Sequence, residues 1–108
     1  MSVNEKDWKL FRKKLPEWQE SYMEKLVEEY IDILNGDGLA SDKYWALEKR
    51  VKSDKKNPGV LMTDISRSNF LGLLTSLIGY KVISLEDLDG FSEETKEAVK
   101  NIAGRWNN

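Results

Sequence analysis

The chain has no cysteine and no histidine in 108 residues, and only two prolines. Their absence excludes the usual zinc sites, iron–sulfur clusters, histidine-bound haem, thiol nucleophiles and every catalytic triad that runs through an imidazole. Most hydrolase chemistry goes with them. A chain without cysteine has no disulfide framework, which suits a reducing, cytoplasmic setting. Long apolar runs are missing as well. The most apolar stretch, residues 70–78, is far shorter than the roughly 20 residues that span a bilayer. The polar start Met1-Ser2-Val3-Asn4-Glu5-Lys6-Asp7 leads into no signal-peptide core, so neither a membrane span nor a secretory leader is expected.

What remains is ordinary globular material: 40% hydrophobic, 33% charged, with 17 Lys+Arg against 19 Asp+Glu for a net charge of −2. Apolar residues recur at helical spacing almost throughout, and most glycines fall between those segments. The expected fold is all-α, a compact single-domain bundle of about five helices with short connectors, covering residues 1–108.

Trp8, Phe11 and Leu15 predict a first helix over residues 5–14, and Pro16 suits the first position of a second helix reaching residue 34. Asn35-Gly36-Asp37-Gly38 stops that helix, and Ser41 caps a third that carries Tyr44, Leu47 and Val51. Ser53-Asp54-Lys55-Lys56-Asn57-Pro58-Gly59 reads as the clearest loop and the best candidate for a mobile connector. Asp64 or Ser66 then caps an apolar helix containing Phe70, Leu74 and Leu77, the expected centre of the core, with Gly72 allowing a close helix contact. Ser84-Leu85-Glu86-Asp87 has capping-box spacing. Ser92 caps the last helix, and Trp106 is expected to cover the end of the core.

Two acidic, glycine-containing turns invite comparison with a calcium loop, and both fail. Aligning Asn35-Gly36-Asp37-Gly38 puts Ile33 and Tyr44 where carboxylates are required, and aligning Asp87-Leu88-Asp89-Gly90 puts Leu85 and Lys96 there. No metal or cofactor is expected. Catalysis finds little support either, since the sequence has no nucleophile elbow, phosphate-binding Gly-rich loop or Ser-x-x-Lys motif. The chain reads as a non-enzyme.

Charge is segregated. At about 100° per residue, Glu17, Glu20, Glu24, Glu28 and Asp32 form a narrow stripe opposite the ridge of Trp18, Tyr22, Leu26 and Tyr30. Like charges one turn apart cost about 0.2–0.5 kcal/mol per pair, so the stripe is either a solvated face or a partner-binding acidic ridge. Positive charge collects in Lys9-Leu10-Phe11-Arg12-Lys13-Lys14 and over residues 43–56, where six bases face two acids. Trp45 lies off its helix's apolar stripe beside Lys49. With Arg50, Lys52, Lys55, Lys56 and Arg67 it forms a candidate aromatic and basic patch for a protein groove or for phosphates. Each of these features also has a plain reading as surface charge or as a boundary residue.

The stretches Leu15-Pro16-Glu17-Trp18-Gln19-Glu20-Ser21-Tyr22-Met23, Ser41-Asp42-Lys43-Tyr44-Trp45-Ala46-Leu47-Glu48-Lys49-Arg50 and Ile83-Ser84-Leu85-Glu86-Asp87-Leu88 resemble small helical proteins carried on mobile genetic elements of Gram-positive bacteria. Proteins of that setting include anti-CRISPR inhibitors, which bind a Cas nuclease, often through acidic surfaces that imitate a nucleic-acid backbone. The resemblance implies an inhibitor or adaptor that binds a protein or ribonucleoprotein partner such as a Cas9-type effector. The competing expectations are a nucleic-acid-binding accessory protein using the basic patch and an antitoxin-like subunit that forms homo-oligomers.

Overall fold

Asn4 opens the first helix by accepting from the backbone N–H groups of Lys6 and Asp7 at 2.9 and 3.3 Å. In the computed structural model, which describes residues 4–106, that helix does not stop at Lys14. It continues as a single 31-residue element, α1 (Glu5–Asn35), with Pro16 inside it. The sequence-based division at Pro16 is therefore corrected. An interior proline removes one backbone hydrogen bond and costs about 3 kcal/mol. The apolar stripe runs unbroken across it: Trp8, Phe11 and Leu15 are buried before it, Leu26 is buried after it, and Trp18 packs against the same core. The packing on both sides offsets the local penalty, and Pro16 itself lies exposed on the outward face.

Three further α-helices follow: α2 (Ala40–Asp54), α3 (Phe70–Gly79) and α4 (Glu93–Trp106), with single 3-10 turns at Arg67–Asn69 and Leu85–Leu88. The described residues thus form four α-helices instead of the expected five or so, because the first two are one. Two predicted caps also change. Leu39, not Ser41, occupies the N-cap of α2 and makes no side-chain cap bond. Ser66 precedes the 3-10 turn, where its hydroxyl meets that of Ser68 at 3.1 Å, so it does not cap α3. The capping box at Ser84 holds, with the Ser84 N–H donating to Asp87 Oδ2 at 2.8 Å. The Trp106 side chain lies outside the described part.

The core is built from one face of the N-terminal half of α1, from α3, and from Ile83, Leu88, Phe91 and Val99. Its aromatic centre is Phe11, Trp8 and Phe70, with Phe11 and Phe70 edge to face at 5.5 Å. Phe91 stacks on Trp18 at 6.3 Å. Gly72 faces open space on the outside of α3, not a neighbouring helix as expected.

The second half of α1 leaves this head and pairs with α2 as an antiparallel hairpin arm. No residue of α2 is buried. The arm gives the molecule extents of 54 × 31 × 23 Å and a radius of gyration of 16.6 Å, against about 13 Å for a compact chain of this size.

Its base is pinned by residues expected to be mobile. Pro58 and Gly59 are buried. Gln19 Nε2 donates to the Pro58 carbonyl at 3.0 Å, Asn57 Nδ2 donates to the Tyr22 hydroxyl at 2.9 Å, and Asn57 Oδ1 accepts from the Gly59 N–H at 2.7 Å. A Cβ on Gly59 would lie 2.5 Å from the Tyr22 ring, so only glycine allows this approach. The reading of this loop as a mobile connector is corrected by that set of contacts.

Candidate functional site: the hairpin arm

The continuity of α1 places Glu17, Glu20, Glu24, Glu28 and Asp32 on one rigid rod. All five are exposed. Among the described residues none takes part in an ion pair. The stripe runs over about 22 Å at 1.5 Å per residue, with roughly 6 Å between carboxylates one turn apart. One strand of duplex DNA carries a phosphate every 3.4 Å or so, so this ridge is a dilute local copy of such a charge row. The opposite face holds the arm together, as its aromatic spacing implied: Leu26 is buried, Tyr22 meets Asn57, and the Tyr30 hydroxyl donates to Asp54 Oδ2 at 2.6 Å.

The structure divides the expected aromatic and basic patch. Arg50 turns inward, donating to Glu29 at 3.0 Å and lying 3.5 Å from Asp54, with its guanidinium 5.7 Å from the Tyr30 ring centre. The Glu29 hydrogen bond, followed by the charge of Asp54, raises the pKa of Arg50. Burial, then the hydrogen bond to Asp54, pushes the Tyr30 hydroxyl up to about 12. Arg50 is thus the clamp between α1 and α2. Arg67 sits at the other end of the molecule, where its Nε and Nη2 donate to the two carboxylate oxygens of Glu5 at 2.8 and 3.2 Å and its guanidinium covers Trp8. Glu5 and Glu29 are about 36 Å apart along α1, so Arg67 and Arg50 cannot share one binding surface.

Trp45, Lys49, Lys52 and Lys56 stay together. The first three share the outward stripe of α2 at helical spacing, and Lys56 lies just past the helix end. All four are exposed, as is Lys55, and no lysine of the set is ion-paired among the described residues. Trp45 is 63% exposed and stands edge to face with the equally exposed Tyr44 at 4.9 Å. Tyr44 was expected on the inner stripe, and Leu47 and Val51 take that role alone. The sequence-based reading also missed Val27, Ile31 and Leu34, each about half exposed. They follow i, i+4, i+7 spacing next to the acidic stripe, a signal overlooked because the charges dominated that face.

One buried acid was also missed. Asp7, which no sequence pattern singled out, is 3% exposed. Its Oδ1 accepts from the Ser92 N–H at 3.0 Å, and its Oδ2 accepts from the Ser92 and Thr95 hydroxyls at 2.6 Å each. Burial raises its pKa, but these hydrogen bonds outweigh it and hold the carboxyl below its ordinary value. The Ser92 hydroxyl also meets the Thr95 N–H at 3.3 Å, as expected of a cap. Asp7 therefore ties the start of α1 to the start of α4. It borders a hollow of about 630 Å³ whose lining includes Lys6, Lys9 and Lys13.

Among the described residues no helix is long and apolar enough to cross a membrane, and no group of three carboxylates converges as a metal site. Comparison with protein-family models, curated sequences and solved structures finds no match.

Proposed function

We propose that this protein is a non-enzymatic inhibitor or adaptor that binds a macromolecule through its hairpin arm. The observation that carries this reading is the acidic stripe: five carboxylates on one continuous helix, exposed and, among the described residues, in no ion pair. Such a row costs stability unless something cationic covers it, and a basic nucleic-acid channel is the matching surface. The resemblance to mobile-element proteins narrows the target to a Cas9-type effector, with the stripe occupying part of its channel. The net charge of −2 restricts any such mimicry to this one face.

A cleavage assay with the purified effector tests the proposal. Reversing Glu20, Glu24 and Glu28 to Lys is expected to abolish inhibition while far-UV circular dichroism stays unchanged. Retained inhibition would remove the stripe from the mechanism. A tagged pull-down from host lysate, with and without nuclease, identifies the target directly.

A second reading rests on the outward stripe of Trp45, Lys49, Lys52 and Lys56. An exposed indole beside exposed lysines can stack a base and neutralise phosphates. It requires a mobility shift that weakens steeply with salt and disappears when Lys49, Lys52, Lys55 and Lys56 are neutralised.

A further inference from the structure

The arm leaves more apolar surface uncovered than the head does. Val27, Ile31, Leu34, Leu39, Tyr44 and Trp45 are six of the ten large hydrophobic residues that stand exposed. All fall on the second half of α1, the tip, or the start of α2. At about 100° per residue, Val27, Ile31 and Leu34 lie within some 60° of one another. The inward faces of the two helices are set by Leu26 and Tyr30 on α1 and by Arg50 and Asp54 on α2. Two right-handed helices running antiparallel then turn Val27 and Leu34 to the same side of the hairpin as Tyr44. That side has edges of opposite sign: carboxylates along the outer edge of α1 and lysines along the outer edge of α2.

A face with one negative and one positive edge is complementary to itself. A two-fold rotation about an axis lying in the contact plane and parallel to the arm lays α1 of one copy over α2 of the other. Each acidic edge then meets a basic edge, and the apolar middles meet each other. Both contacts form at once, so the arrangement closes as a pair and does not propagate.

We infer that the chain forms a homodimer in which two hairpin arms pack face to face as a four-helix bundle, with Glu24 and Glu28 of each copy against Lys49 and Lys52 of the other. Val27, Ile31, Leu34, Leu39 and Tyr44, half to two-thirds exposed, leave on the order of 400 Å² of apolar surface per chain, about 800 Å² for the pair, and the charged edges bring the contact to the lower end of the size range of specific interfaces. The two heads then lie at the same end of the bundle, and a target that takes the acidic stripe competes with the second copy for Glu24 and Glu28.

Sedimentation of the purified chain across the micromolar range tests it, with twice the mass of one chain expected. Glu24→Lys with Glu28→Lys, and separately Lys49→Glu with Lys52→Glu, place like charges at both edges, and each double variant is expected to be monomeric. Mixing the two restores attraction at both edges, so a 1:1 heterodimer is expected. A monomeric wild-type chain overturns the inference. So does a mixture of folded variants that fails to associate, because complementarity of the edges is the basis of the pairing. Dimerisation needs no other macromolecule, so its failure is distinct from failure of the proposed target.

Discussion

Replacing Asp7 by Ala removes the acceptor that joins the beginnings of α1 and α4. The carboxylate takes three hydrogen bonds, from the Ser92 N–H, the Ser92 hydroxyl and the Thr95 hydroxyl. Hydrogen bonds to a charged group contribute about 1.5–3 kcal/mol each, but they share one carboxylate and part of their strength offsets its burial. The Thr95 hydroxyl is itself buried and loses its strongest acceptor, whereas the adjoining hollow lets water reach the rim. The expected net loss is about 3 kcal/mol, or a fall of more than about 10 °C in Tm. Urea unfolding followed by tryptophan fluorescence reads it directly. In a double-mutant cycle with Ser92→Ala, the coupling is expected to exceed about 1 kcal/mol. The folded pKa of Asp7 is lowered, so its contribution is present above the unfolded value near 3.9 and is lost as pH falls through the lower folded value. Asp7→Asn is expected to flatten that part of the acid-unfolding profile. A loss below about 1 kcal/mol for Asp7→Ala, with no coupling to Ser92, would refute the role given to this network.

Two glycines are expected to respond in opposite directions. Gly59→Ala drives a methyl into the Tyr22 ring and Val82 and should cost about 1–3 kcal/mol by overpacking, whereas Gly72→Ala enters open space in the first turn of α3 and should add up to about 0.5–1 kcal/mol; chemical denaturation measures both. Tyr30 should ionise near 12 in a spectrophotometric titration, because burial and its bond to Asp54 hold the proton. Its contribution to stability is full below the unfolded pKa near 10 and is lost as pH rises toward 12. Tyr30→Phe should abolish that high-pH step.

Much of this molecule was legible in the residue pattern. Helical spacing of Trp8, Phe11 and Leu15, the apolar run from Phe70 to Leu77, the capping box at Ser84 and the cap at Ser92 are local features, and local sequence encodes them through hydrogen-bond geometry and periodicity. The same periodicity separated the carboxylates of α1 from its aromatic ridge before any packing was known. Whether a proline ends a helix is not local. At Pro16 the backbone penalty is set against burial contributed by α3 and by residues 83–99, which no window around position 16 contains. The apparent loop at residues 53–59 was settled in the same way, by Gln19 and Tyr22 from a distant part of the chain.

The site divides along the same line. Sequence alone established that the arm carries acids on one helix and lysines on the next, because charge and spacing are properties of the chain. Tertiary structure decided which charges are free. Arg50 and Arg67 are as basic as their neighbours in sequence, yet each is held by a carboxylate brought to it by folding, Glu29 in one case and Glu5 in the other. Asp7 lost its freedom to Ser92 and Thr95, more than eighty positions away. An ion pair or a buried hydrogen bond forms only when two side chains come within about 3 Å of each other, and for distant residues that separation is set by the packing of the whole chain.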